Sequence, residues 1–344
     1  MHKVFILLFL EAALILTSCT QKTPKTDLSV DLIPTDSLTL NDGLSRIDGV
    51  IMAYHKIGDD QFILGDNKPG LYLFDKNEMI RRFGNIGQGP CEFTEISATD
   101  VDDDTLYILS SEQVKIIGFD ISSGECVGEF SHKTMSGITH LLKEQDKSSF
   151  LALKGSLTGL ESDSLTILYR LFEDESVESL ELKYGRVNAV PSVINFRSPN
   201  LTFAPYKNTY YFYLPQTDSL YNYNPESDKL TSFAHGIDLN RNEIEKAGQD
   251  FQKMMDLLQK EVKMIGKVYA SADWLAIEYI YENIAEDLGQ EMSLYFYRHD
   301  GTFIAQIPAE DLIGFEDGKF IQLRETGNDP DFPFSMVSLK PQFN

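Results

Sequence analysis

The chain has 344 residues and carries 30 Lys and Arg against 53 Asp and Glu, a formal charge of −23. Such a field repels phosphate backbones, which excludes nucleic-acid binding through a basic surface. With 42% hydrophobic residues, 11% aromatics and three cysteines, the composition describes a folded acidic body and excludes a disordered chain or a disulfide-stapled miniature.

Residues 1–18 read as a signal peptide, with His2 and Lys3 as a short positive start and VFILLFLEAALIL as its apolar run. That run is too short to cross a hydrocarbon core of about 30 Å. It ends in Leu16-Thr17-Ser18-Cys19, which resembles a bacterial lipobox. In that arrangement small side chains admit the peptidase, and the thiol of Cys19 takes the lipid. Residues 19–27 are polar and read as a flexible tether. No acidic run follows Cys19 directly, the first acid being Asp27, so the reading is an outer-membrane anchor facing the periplasm, with exposure at the cell surface as the alternative. The lipid is then the only contact with the membrane.

Residues 28–344 are organised by a repeat, a polar turn followed by a short apolar strand. It appears as GDDQFILGD, DDDTLYILS, QDKSSFLAL, YKNTYYFYL, SADWLAIEY and FEDGKFIQL. The first apolar residues of these strands, Phe62, Leu106, Phe150, Tyr210, Leu275 and Phe320, are spaced by 44, 44, 60, 65 and 45. Spacings near 44 suit four-stranded propeller blades, and the two longer steps require insertions. Each unit continues through a second strand, a turn and a third strand, as in GLYLFDKNEMIRRF and SLYFYRHDGTFIAQI. The sixth unit stops at FSMVSLKP and lacks its outer strand, for which SVDLIPTDSL near the mature N-terminus is the donor. The expected fold is therefore an all-β, six-bladed propeller closed by its N-terminal strand.

Residues 83–93, Phe-Gly-Asn-Ile-Gly-Gln-Gly-Pro-Cys-Glu-Phe, resemble the inter-blade Gly-x-Gly-Pro-Gly-Glu-Phe segment of NHL-like and TolB-like six-bladed propellers. With TDSLYNYNPESDKLTSFAHGIDL at 217–239, the chain looks most like propeller lipoproteins of Bacteroides-type bacteria. The resemblance implies fold and location and transfers no catalytic residues. Within the segment, Gly87 and Gly89 are expected to adopt backbone conformations closed to other residues, Pro90 to stiffen the turn and Phe93 to anchor it. Cys91 replaces the family glycine, which leaves open whether φ is positive there.

Candidate chemistry is sparse. Asp100, Asp102 and Asp104 alternate and invite a calcium reading, but Thr105 and Ser111 occupy the positions where an EF-hand loop needs Gly and Glu. Turn chemistry is the better account, with no cofactor expected and calcium as the one candidate. The six histidines show no zinc-helix spacing, and GSLTG at 155–159 is no nucleophile elbow. Cys91 and Cys126 are placed near opposite ends of neighbouring outer strands, and their pairing stays open. The insertion 186–200 reads as a loop carrying Arg197, while Ile244, Ala247, Phe251, Met254, Leu258, Val262 and Ile265 predict a helix over 240–265. The aromatic runs 209–214, 221–223 and 295–297 are read as inter-blade packing in preference to a sugar-stacking surface. Arg197 and Arg324 are the candidate anchors for an anionic ligand.

The expected function is a non-catalytic, lipid-anchored binding module of the cell envelope, with a protein, peptide or glycan as partner. The alternative is a metal-dependent hydrolase or lactonase with its site in the central channel, since fold alone does not decide function.

Overall fold

The computed structural model describes residues 28–40, 47, 51–68, 70–131, 138–144, 148–154, 165–182, 204–206, 209–213, 219–227, 229–239, 250–284, 289–325 and 334–344. The signal peptide, the tether with Cys19, the 186–200 insertion with Arg197, and residues 240–249 of the expected helix lie outside them.

Strand β1 (Val30–Leu40) comes first in sequence and last in the ring. Blade 1 is β2 (Ile51–Lys56), β3 (Gln61–Asp66), β4 (Gly70–Asp75) and β5 (Glu78–Arg82). Two short parallel strands, β6 (Asn85–Ile86) and β7 (Glu92–Phe93), lead into blade 2: β8 (Ala98–Asp102), β9 (Thr105–Ser110), β10 (Lys115–Asp120) and β11 (Cys126–Ser131). Blade 3 holds β12 (Ile138–Lys143), β13 (Ser149–Lys154), β14 (Leu165–Phe172) and β15 (Val177–Leu182). Blade 4 holds β16 (Ala204–Tyr206), β17 (Thr209–Tyr213), β18 (Ser219–Asn224) and β19 (Lys229–Ala234). After the helix α1 (Phe251–Leu258) comes blade 5: β20 (Glu261–Ala270), β21 (Leu275–Asn283), β22 (Gln290–Tyr297) and β23 (Phe303–Ala309). Blade 6 is β24 (Leu312–Glu316), β25 (Lys319–Glu325), β26 (Phe334–Phe343) and, as its outer strand, β1.

All six repeat markers fall in the second strand of a blade, five of them at its second residue and Leu275 at its first. The turn ahead of each marker reverses the chain from the first strand. Asp103 and Asp317 adopt φ of 49° and 48° there, a conformation that aspartate tolerates better than most residues.

Period-2 alternation sends successive side chains to opposite neighbours. On β3 and β4, Ile63, Leu71 and Leu73 join the core shared with blade 2, while Phe62, Leu64, Tyr72 and Phe74 join the core shared with blade 6. Each fully buried phenylalanine removes enough apolar surface to contribute about 2–3 kcal/mol. The aromatic runs behave as expected: Tyr211, Phe212, Tyr213, Tyr221, Tyr223, Phe296 and Tyr297 are all buried.

Closure is as the sequence predicts. β1 pairs antiparallel with β26 from Val30↔Phe343 to Leu40↔Phe334, with one irregularity between Pro34 and Asp36. Ser29 and Asn344 exchange backbone hydrogen bonds at 3.3 and 3.0 Å.

The expected helix is shorter than its apolar stripe. α1 covers Phe251–Leu258, and the Asp250 side chain caps it by accepting from the Lys253 N–H at 3.2 Å. Val262 and Ile265 belong to β20 instead, buried at 4% and 1% exposure. β-Branched residues favour the strand, and pairing with β21 supplies the backbone partners that a longer helix would forfeit.

The inter-blade segment departs from expectation in an informative way. Gly87 and Gly89 are absent from the positive-φ residues; what they provide is room. A Cβ on Gly87 would lie 2.1 Å from Glu92 Oε2 and one on Gly89 2.8 Å from the same oxygen, which accepts the Gly89 N–H at 2.8 Å. The positive φ falls on Gly84 (63°) and on Cys91 (59°), so Cys91 keeps the backbone of the glycine it replaces. Phe93 is 1% exposed in the core between blades 1 and 2, anchoring the segment as expected. Cys91 lies on this segment and not on an outer strand, and there it forms a disulfide with Cys126 at the start of β11.

Candidate functional site

The first strands β2, β8, β12, β16, β20 and β24 surround the axis, with contacts of β2 to β8 and β24, of β8 to β12 and of β16 to β20. Four of them carry a one-residue bulge, between Ile51 and Ala53, Ile138 and His140, Ile265 and Val268, and Leu312 and Gly314. Bulges re-aim side chains at the point where six strands must turn past one another.

The channel wall is polar. His55 on β2 shares a 2.7 Å hydrogen bond between Nε2 and Thr99 Oγ1 on β8. Burial holds the imidazole down at about 4, helped by the positive Lys267. His140 on β12 contacts Thr139 Oγ1 through Nδ1 at 3.0 Å, and burial holds it at about 3. Both rings are therefore neutral at pH 7. Asp100 on β8 accepts the Lys143 backbone N–H at 2.5 Å, yet burial raises its carboxyl to about 7.

On blade 5 the bulge places Gly266 and Lys267 opposite Glu278. Glu278 is 4% exposed and accepts the Tyr269 hydroxyl at 2.7 Å. A Cβ on Gly266 would stand 2.1 Å from Glu278 Oε1, so glycine is what lets the carboxyl lie under the bulge. Burial pushes Glu278 up and Lys267 down, each opposed by the charge of the other.

One end of this wall opens into a cavity of about 210 Å³ lined by Tyr54, His55, Lys56, Val101, Phe315 and Glu316. Lys56 ties blade 1 to blade 6 there, with Nζ 3.5 Å from Asp317 and 3.9 Å from Glu316. The Tyr54 ring lies over Gly314, where a Cβ would be 2.6 Å from the ring.

The residues singled out by sequence are mostly elsewhere. Arg324 is exposed on β25, the second strand of blade 6, and its Nε donates to Gln322 Oε1 at 2.6 Å. Asp100 and Asp102 share β8, and Asp104 lies in the following turn. Among the described residues no three His, Cys, Asp or Glu side chains come together as metal ligands. Sequence reasoning missed His55 as a cavity residue, and His140 and Lys267 as residues of the innermost strands. The signal for them was position: each precedes a repeat marker, in the strand nearest the axis.

Six four-stranded blades, closed by one strand from the N-terminal end around a polar channel, define a β-propeller. The chain belongs to a 6-bladed beta-propeller family (DUF5128), whose pattern matches residues 43–309. No relative among curated proteins matches it. Among solved structures it is similar to a Bacteroides fragilis protein provisionally named an exported protein, at TM-score 0.60 and 12% identity over 94% of this chain and 98% of that one. It also matches Kuenenia stuttgartiensis hydrazine synthase, at TM-score 0.45 and 10% identity over 88% of this chain and 76% of that one. At such identities the likeness concerns the fold.

Proposed function

We propose that the protein is an exported, lipid-anchored propeller of the cell envelope that binds a ligand or protein partner without transforming it. The observation that carries the reading is the polar channel and its cavity, bounded by Tyr54, His55, Lys56, Val101, Phe315 and Glu316. Its few convergent polar side chains are the kind of groups that fix a ligand's orientation in a binding site. Export is supported by the Cys91–Cys126 disulfide, which belongs to an oxidising compartment, and by the apolar run ending at Cys19. β1 begins at the rim that carries the Asp317–Gly318 turn.

Two measurements test this. Radiolabelled palmitate should enter the wild-type chain and not Cys19→Ala; equal labelling would remove the anchor. Thermal melts of the full chain with soluble peptides, glycans, EDTA or calcium should move with a ligand class and not with the cation treatments. A reversible shift of several degrees with calcium would replace the binding reading with a cation-dependent one.

A further inference from the structure

The cavity at the end of the channel lies between the first strands of blades 1 and 6, and Val101 of blade 2 completes its wall. Its aromatic sides are held from behind. The Tyr54 ring lies 6.0 Å from Phe62 between centroids and rests on Gly314. Phe315 packs on Tyr269, Trp274 and Phe320 at 5.5, 5.5 and 5.2 Å. What the cavity offers a ligand is set by the polar atoms left over. His55 Nε2 is engaged by Thr99. Lys56 Nζ donates to Asp317 at 3.5 Å and stands 3.9 Å from Glu316 Oε1, too far for a hydrogen bond. Among the described residues no hydrogen bond reaches the Glu316 carboxylate or the Tyr54 hydroxyl, and Lys319, the register partner of Glu316, makes no ion pair. The wall thus presents an ammonium with protons to spare beside a carboxylate that lacks a donor, their side chains 32% and 31% exposed.

We propose that the cavity takes a small free amino acid, its α-ammonium on Glu316 and its α-carboxylate on Lys56. This rests on the binding-module reading and names the chemistry of its ligand. Charge selects against simpler occupants. A lone anion meets Glu316 and the field of a chain of charge −23, while a lone cation meets Lys56. A neutral polyol brings hydrogen bonds and leaves both charges uncompensated. A zwitterion is neutral as a whole, so the net field neither draws nor repels it. Its two charges, held on one carbon, align head to tail with a Lys–Glu pair 3.9 Å apart, and each gains a charge-assisted hydrogen bond. Lys56 keeps Asp317 while doing so, because an ammonium has three protons to give. The Tyr54 hydroxyl supplies a further hydrogen bond, and Val101 with the Tyr54 and Phe315 rings faces the ligand's side chain. Size agrees: about 210 Å³ is below the roughly 300 Å³ at which drug-sized sites begin, which suits a compact ligand. Walls already packed in place lose little freedom when it enters.

The test is a titration of the full chain in detergent, with histidines carrying ¹³C at Cε1, against L-alanine, sodium acetate, methylammonium chloride and glycerol in separate arms at matched ionic strength. The His55 signal, assigned by its loss in His55→Gln, reports on the cavity wall. The expected result is a saturable shift with L-alanine. Acetate and methylammonium each lack one of the two charges and should bind at least about tenfold more weakly, the loss of one charge-assisted hydrogen bond. Lys56→Gln and Glu316→Gln should each weaken L-alanine by a similar factor. No saturable shift with L-alanine overturns the proposal. An equal response to acetate, methylammonium or glycerol does so too, because the paired charges are then not what is read, and so does undiminished binding in both variants. The wild-type arms decide even if a variant fails to fold. Melts of the same wild-type sample with peptides and glycans separate the two claims: a shift there with none from L-alanine refutes the amino-acid site and leaves the binding module standing, whereas no response to any class counts against both.

Discussion

Removing the Cys91–Cys126 cross-link should lower stability while leaving every blade intact. The bond joins residues 35 apart, and closing a loop of that length in the unfolded chain corresponds to about 4 kcal/mol of entropy. Cys126→Ala should lower stability by up to that amount, about 8 °C in melting temperature for a body of this size. A second, smaller effect can be separated from the first. Cys91 adopts φ of 59°, where a side chain is penalised and glycine is not. In the Cys126→Ala background, Cys91→Gly should therefore melt higher than Cys91→Ala by about 2 °C, corresponding to about 1 kcal/mol. The assay is thermal melting by circular dichroism, repeated with a thiol reductant. Reductant should lower the wild-type melt toward that of Cys126→Ala and leave the variants unmoved. If Cys126→Ala melts within a degree of wild type, the loop-closure reasoning is wrong. If glycine at position 91 gains nothing over alanine, the backbone there is not held in the left-handed region.

Other consequences are as direct. Glu144 is 2% exposed and holds Arg170 through Nε at 2.6 Å and Nη2 at 3.2 Å, so Glu144→Ala leaves the guanidinium only Glu178, on Nη1 at 2.7 Å, and should cost about 2–3 kcal/mol in denaturant unfolding. Gly84→Ala drives a Cβ to 2.4 Å from the Phe93 ring at φ of 63° and should lower the melt by several degrees, whereas Arg324→Ala should change stability by less than about 0.5 kcal/mol. Acid should destabilise the fold through His55 and His140. Their folded values of about 4 and 3 lie below the ordinary 6.5, so the unfolded chain binds more protons and stability falls as pH drops through 6.5. Asp100, raised to about 7, has the opposite sign and gives up stability as pH rises from 4 to 7. Glu278, Asp66 and Glu316, also raised by burial, share the sign of Asp100, so the histidine share is read by difference: from pH 4 to 6.5 the denaturant midpoint of His55→Gln should gain less, or lose more, than that of wild type.

The blades were legible because each second strand opens with a large apolar residue directly after a turn rich in Asp, Gly, Asn or Ser. The closing strand was legible because the sixth unit visibly lacks one. The boundary between α1 and β20 was not. β20 is covered on both faces, and its bulge puts Ile265 and Val268 in one core three residues apart, which imitates a helical stripe. The role of Gly87 and Gly89 was hidden for a related reason, since crowding by Glu92 leaves no mark in the sequence that distinguishes it from a need for positive φ. The channel was hidden by distance along the chain. His55, Asp100, His140 and Lys267 come from four blades and have no mutual spacing to detect, while Arg324, which drew notice as a charge, stands on β25 and Arg197 lies outside the described residues.

The pairing of β1 with β26 also sets an order of events. Contacts such as Leu40↔Phe334 and Val30↔Phe343 join the earliest strand to the latest, so the ring cannot latch until residues 334–343 have emerged. Until then β1 is an unpaired strand, open to strand addition by another chain. The growing chain must keep that strand single through the passage of five and a half blades, which makes the interval before closure the period of greatest exposure to misassembly and chaperone capture.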